Sequence, residues 1–332
     1  MTRAKALRLV PSPTCGRRSQ ASNVRDGATS PVPQAGLAVG NRIDPASVGS
    51  GSPVADETDY GWNLKPFLSG AMSVQLTLVS HYGPKGEHYP ELRSVISALH
   101  TRLSESLGPG FRACDLDQVH GTIVGLEGVP ERDGIHSLWF KENFHKDRKM
   151  DFEGLLECLR SGTAGEFTIR VGGWKPAEEY GFLSRGQHPY LRSFSIRGGI
   201  AVAMGWPFRK GRYCRSLYRL RKRLETFGTL HKWHTGEFRD NDFFFVLGRI
   251  TADGVDESVL ASVSKGVREM LETTEHRVEI SRETLSLVAY VDPELPRATS
   301  KTFSLTDPAV TPGFLEGLYR DEIGLGSREV EA

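Results

Sequence analysis

From Ser73 onward the chain switches repeatedly between two apolar periods, and that switching limits what it can fold into. Val74-Gln75-Leu76-Thr77-Leu78-Val79 alternates at period two and reads as a strand. Leu92, Val95, Ile96, Leu99 and Leu103 then recur at helical spacing after Pro90, and Gly108-Pro109-Gly110 ends that stripe. A strand over 117–126 comes next. Asp151 caps a helix carrying Phe152, Leu155, Leu156 and Leu159. Phe167 to Val171 reads as a strand, and Phe194 to Met204 as another, interrupted by Gly198-Gly199.

The second half runs through the same kinds of element. Leu217, Leu220, Leu224 and Phe227 mark a helix stopped by Gly228, and Asp242 to Ile250 is a strand. Val259, Leu260, Val263, Val267, Met270 and Leu271 mark another helix, and strands over Arg277 to Ile280 and Leu285 to Val291 close the pattern. Strand, helix, strand in both halves predicts an α+β architecture of two similar sheet-and-helix lobes flanking a central cleft.

The flanks read differently. Residues 1–71 carry Pro-, Gly- and Ser-rich stretches with no apolar period and are expected to be a disordered tail. The first forty residues pair Arg3, Lys5, Arg8, Arg17, Arg18 and Arg25 with a single acid, Asp26. That resembles a transit peptide in composition, but Pro and Gly break any amphipathic helix, so a flexible tail is the reading. Met72, just before the first strand, is an alternative start. The folded domain is expected over 72–306, with a C-terminal tail over 307–332 that holds one short helix.

Composition excludes several classes. A net charge of +1 over 332 residues gives no global attraction to nucleic acid, so any such attraction must be local. Cys15, Cys114, Cys158 and Cys214 are widely spaced, which argues against a zinc ribbon or disulfide framework and for a reducing compartment. No apolar run approaches the roughly 20 residues needed to span a bilayer. A soluble, cytoplasmic chain with no obligatory protein partner is expected. There is no Gly-x-x-x-x-Gly-Lys-Ser/Thr phosphate loop, Gly-x-Ser-x-Gly elbow or strand-borne Gly-x-Gly-x-x-Gly.

The strand over 117–126 carries His120-Gly121-Thr122. Alternation puts His120 and Thr122 on one face, where an imidazole can move a proton beside a hydroxyl that can hold a phosphate oxygen. The later strand ends Leu247-Gly248-Arg249-Ile250. A strand-borne His-x-Thr followed in the second half by a hydrophobic strand ending Leu-Gly-Arg resembles the 2H phosphoesterase superfamily, which includes RNA ligase-like and cyclic phosphodiesterase proteins. The resemblance covers roughly Ser73 to Leu295.

The resemblance implies a bilobal 2H phosphoesterase-like fold and a metal-independent phosphodiesterase without cofactor. One histidine acts as base, another protonates the leaving oxygen, and two hydroxyls hold the phosphate. The implied partner is a nucleotide or RNA phosphodiester: RNA ends, 2′,3′-cyclic phosphates, or 2′-5′-linked or cyclic oligonucleotides. His120 and Thr122 match the first motif. In the second, Phe244 stands where the histidine belongs and Val246 where the Thr or Ser belongs. Phe244 can stack on a base but cannot carry a proton.

A replacement is therefore sought in Leu230-His231-Lys232-Trp233-His234-Thr235, just before the altered strand. His231 or His234 is expected to supply the second catalytic group and Lys232 to hold phosphate. The His-x-x-His spacing also suits metal ligation, but no third ligand is visible in the sequence. Tyr290, Arg249 and Arg197 are further expected substrate contacts, and His81 and His88 are candidates for the same cleft. The stretch Arg209 to Arg223 holds Arg and Lys, with Tyr213 and Tyr218 interleaved and no acid, a pattern suited to phosphates. The competing expectation is a catalytically impaired RNA or nucleotide binding protein that keeps the cleft.

Overall fold

The computed structural model describes residues 73–85, 89–162, 165–235, 239–251 and 255–320; the expected tail over 1–71, His88 and the last residues, 321–332, lie outside them. In chain order the first elements are β1 (Gln75–Ser80), α1 (Pro90–Leu107), β2 (Phe111–Ala113) and β3 (Gly121–Gly125). A small hairpin of β4 (Gly128–Glu131) and β5 (Gly134–Ser137) leads into α2 (Leu138–Phe144) and α3 (Phe152–Arg160). Then come β6 (Phe167–Gly172), α4 (Pro189–Arg192), β7 (Phe194–Arg197), β8 (Ile200–Arg209) and β9 (Arg212–Tyr213). The chain continues through α5 (Ser216–Leu224), β10 (Phe243–Ile250), α6 (Glu257–Glu272), β11 (Glu275–Ile280) and β12 (Leu285–Tyr290), and closes with β13 (Ser300–Ser304) and α7 (Pro312–Tyr319).

The architecture is α+β. One 11-stranded sheet runs in the order β11-β6-β8-β10-β3-β1-β12-β13, with β2 on β10 and β7 and β9 on β8. Every pairing in it is antiparallel. Its middle pair is β3 and β10, the His120 strand and the Leu-Gly-Arg strand.

Local sequence explains most of these elements. The α1 stripe is buried as its spacing requires: Leu92, Val95, Ile96, Leu99 and Leu103 all face the core. In α6 the buried stripe is shorter than expected. Val263, Val267 and Leu271 are buried, but Val259 in the first turn is 42% exposed. Helices α1 and α6 pack on each other and on β2, β6, β7 and β11. Asp151 caps α3 by accepting a hydrogen bond from the Gly154 amide at 2.9 Å.

The strand expected over 117–126 pairs only over Gly121–Gly125, because the Gln118 and Val119 amides close a turn on the Asp115 carbonyl just before it. Two further segments differ from the sequence reading. The expected strand over Phe194 to Met204 is a hairpin, because Gly198 and Gly199 both take positive φ, 53° and 73°. Two successive left-handed residues make the two-residue turn that matches strand twist. The segment after Asp307 is also more than a tail. Thr311 caps α7 and Pro312 starts it, and Leu315, Leu318 and Tyr319 are buried in the core, so packed structure runs past 306. Among the described residues no helix is long and apolar enough to cross a membrane.

Candidate functional site

The register of the middle strand pair sets the site. Phe245 of β10 lies opposite Gly121 of β3. In an antiparallel pair the alternation then sets Thr122 against Phe244 and His120 against Val246, all four on the other face. These four side chains line one cavity of about 490 Å³. The glycine between His120 and Thr122 is required by packing beneath the strand. A Cβ on Gly121 would stand 1.9 Å from Cζ of Phe243.

His120 sits at the entry to β3 and is oriented by its own backbone. Its Nδ1–H donates to the Gln118 carbonyl at 2.7 Å, which leaves Nε2 as the basic nitrogen. Burial lowers its pKa to about 4; the Gln118 bond opposes the shift, and Lys85 and Lys232 add to it. The ring is neutral at physiological pH. Tyr82 meets it edge-on, with centroids 5.6 Å apart.

The connection from α5 to β10 forms another wall, with His231, Lys232, Trp233 and Thr235 all lining the cavity. Asn143 pins this turn by donating to the carbonyls of Lys232 at 2.8 Å and His234 at 3.1 Å. Burial lowers the Lys232 pKa, with Glu127 opposing, and its Nζ lies 4.9 Å from the Trp233 ring centroid. His231 is buried, and that burial, reinforced by Arg221, holds its pKa well below the ordinary imidazole value.

His234 does not reach the cavity. It is fully buried behind the wall, with Nδ1 3.3 Å from Glu225 Oε1 and Nε2 3.5 Å from Asp240 Oδ1. The His234 amide bonds back to the His231 carbonyl at 2.8 Å, and this tight turn directs the two rings differently. The third ligand missing from the sequence is thereby supplied from the start of the next segment. His231, His234 and Asp240 each offer a ligand atom, all within 4.8 Å of one another.

The remaining expected contacts reach the cavity with modified roles. Tyr290 lines it, but its hydroxyl donates to Glu127 Oε1 at 2.6 Å; burial, reinforced by Glu127, raises its pKa far above the ordinary phenol value. Glu127 also accepts from Trp139 Nε1 at 2.5 Å. Arg249 lines the cavity paired with Glu294, Nε to Oε1 at 2.5 Å. Arg197 lines it from the β7 hairpin. His81 is buried elsewhere, its ring meeting Tyr89 edge-on.

Several lining groups carried no sequence signal. Glu127, Trp139 and Asn143 lie in or beside short elements with no periodicity, Arg185 lies in the irregular stretch after β6, and Arg192 ends the one-turn helix α4. Arg192 pairs with Asp242 at 3.3 Å. Phe244 joins an aromatic and methionine wall with Met204, Trp206 and Trp174.

No protein-family model and no curated protein matches the chain. Among solved structures the chain is similar to the crystal structure of TT0787 of Thermus thermophilus. That similarity has 15% identity and a TM-score of 0.31, over 70% of this chain and 99% of the other.

Proposed function

We propose that the cavity binds a nucleotide or an RNA end and hydrolyses a phosphodiester there, in the manner of a 2H phosphoesterase whose second motif has been replaced. The observation that carries this reading is the β3–β10 register. It sets His120 and Thr122 beside the two positions, Val246 and Phe244, where a second motif would complete a symmetric site. The two-lobed arrangement belongs to the same proposal, supported by a strand order with β11, β6 and β8 beyond β10 and β1, β12 and β13 beyond β3.

In this reading Nε2 of neutral His120 takes a proton from the attacking water. Thr122 donates its hydroxyl to a phosphate oxygen, while Lys232 and Arg197 offset the phosphate charge. None of these steps calls for a metal ion. His231, the other histidine on the cavity wall among the described residues, supplies the facing imidazole, which in its protonated form gives a proton to the leaving oxygen as the P–O bond breaks. Phe244 offers a face to a nucleobase, a stacking contact worth about 1–3 kcal/mol.

A second reading has its own support: neither Phe244 nor Val246 can transfer a proton, so the cavity would bind a nucleotide or RNA end without turnover. Assays of 2′,3′-cyclic nucleotides and 2′-5′ oligonucleotides with wild type and His120→Ala separate the two. Turnover that falls about 10²–10⁴-fold in the variant supports the phosphodiesterase. Tight binding without any turnover supports the binding protein, and turnover indifferent to His120 refutes the site assignment.

A further inference from the structure

Behind the cavity wall, two imidazoles and a carboxylate converge in a buried pocket of the chain. His231, His234 and Asp240 are 3%, 0% and 5% exposed. Nδ1 of His231 and Nε2 of His234 are both buried with no hydrogen-bond partner among the described residues. Buried polar atoms are nearly always paired in folded proteins, and here two unpaired nitrogens lie in one cluster.

The tautomer of His234 sharpens the point. Its Nδ1 faces Glu225, a carboxylate that can only accept, so Nδ1 carries a hydrogen and, in the neutral ring, Nε2 carries a lone pair. That lone pair lies 3.5 Å from Asp240 Oδ1, also a lone-pair atom. A lone pair facing a carboxylate is met either by a proton, which makes an imidazolium bonded to both carboxylates, or by a metal cation between the two atoms. Arg221 supplies neither to the histidines. Its donors go to the Thr122 and Ile123 carbonyls, the Asp242 carbonyl and Asp240 Oδ1.

We propose that His231, His234 and Asp240 bind a divalent transition metal ion, with zinc the best match to two imidazoles and one carboxylate. Zinc bonds of about 2.0–2.2 Å to nitrogen and oxygen place tetrahedral ligand atoms roughly 3.3–3.5 Å apart. The His234–Asp240 separation already meets that spacing, and the whole set, within 4.8 Å, needs only a small closure. Glu225 occupies the place of the outer carboxylate that fixes a ligating histidine's tautomer and orientation. Asp240 Oδ1 has lone pairs enough to serve Arg221 and the ion together. His231, which also lines the cavity, gives the ion its way in.

The inference shares His231 with the phosphodiesterase reading, and its test reads metal content without using turnover. An ion on His231 would use the lone pair a proton-transferring imidazole needs, so loaded and free chains differ in what the cavity can do. The test is metal content and coordination, measured on the full chain after chelator treatment and reloading with zinc or cobalt(II). One tightly held zinc per chain is expected, with a tetrahedral cobalt(II) visible spectrum. His231→Gln and His234→Gln keep a neutral polar side chain and should each abolish both signals in folded protein, while His136→Ala, on an exposed Asp133–His136–Asp147 group, should leave them intact. Folded wild type that takes up no zinc, or a cobalt spectrum of octahedral type, overturns the proposal even if the histidine variants fail to fold. Zinc retained undiminished in folded His234→Gln overturns it equally.

Discussion

Arg221 donates from Nη1 to Asp240 Oδ1 at 2.6 Å, with both side chains shut away from solvent. The same guanidinium holds the carbonyls of Thr122 at 3.0 Å and Ile123 at 2.9 Å, so it ties the back of the His120 strand to the segment leading into β10. Breaking a buried pair from one side leaves an uncompensated charge, at a cost of about 3–5 kcal/mol. Arg221→Ala should therefore lower unfolding stability by that order in urea titration. Arg221→Lys should recover only part, since an ammonium cannot reach Asp240 and two strand carbonyls at once. An unchanged urea midpoint in Arg221→Ala would show that this clamp contributes little.

Gly121 is bracketed by the proposed catalytic pair, yet its constraint is one of packing. With Cζ of Phe243 at 1.9 Å from the site of a Cβ, Gly121→Ala must displace the ring or the strand. Overpacking of this kind typically costs about 1–3 kcal/mol. The double variant Gly121→Ala with Phe243→Leu should regain part of that loss by shortening the side chain beneath. A single variant as stable as wild type by calorimetry would mean that β3 and β10 part easily.

Acid should destabilise the fold over a definite range. Burial, with Lys85 adding to it, lowers His81 to about 3, and burial lowers His120 to about 4, against 6.5 for a free imidazole. Below 6.5 the unfolded chain takes up protons that the folded rings refuse, so stability falls with pH until each folded ring also protonates. Urea midpoints should drop from about pH 6.5 down to about pH 4, and His120→Gln should flatten part of the decline. If His120 is the base, the acid limb of kcat/KM should lie near 4 instead of 6.5. A limb at the ordinary imidazole value would assign the proton transfer to another group.

The legible parts of this molecule are those where one period persists. The α1 stripe and the alternation of β1 could be read directly, and so could the shared face of His120 and Thr122, because register within a strand follows from counting. Arg221 shows where counting was available and not decisive. It belongs to a basic run but falls on the Leu217–Leu220–Leu224 side of α5, and it alone of that run's charges is buried. The different fates of His231 and His234 could not be read at all. They lie in a turn without periodicity, and what separates them is contact with Glu225 and Asp240, set by tertiary packing. Gly198-Gly199 did carry a hairpin signal, which the apolar residues on both sides obscured.

The register between Thr122 and Phe244 makes the proposed site rebuildable. Placing an imidazole at 244 sets it across the strand pair from Thr122, and a hydroxyl at 246 sets it across from His120. Phe244→His with Val246→Thr should therefore create a second motif facing the first, and a positioned second acid is worth about 10²–10⁴-fold in rate. The cost is the stacking face, so substrate affinity should fall as turnover rises, by up to the ~1–3 kcal/mol of an aromatic–base contact. Steady-state assays on 2′,3′-cyclic nucleotides would separate the two as a higher kcat with a higher KM. Phe244→Ala serves as the control, losing the stacking contact without gaining an acid, so its KM should rise while kcat stays flat. If the double variant, folded and binding nucleotide, turns over no faster than wild type, then residues 244 and 246 do not face a scissile phosphate held by His120 and Thr122.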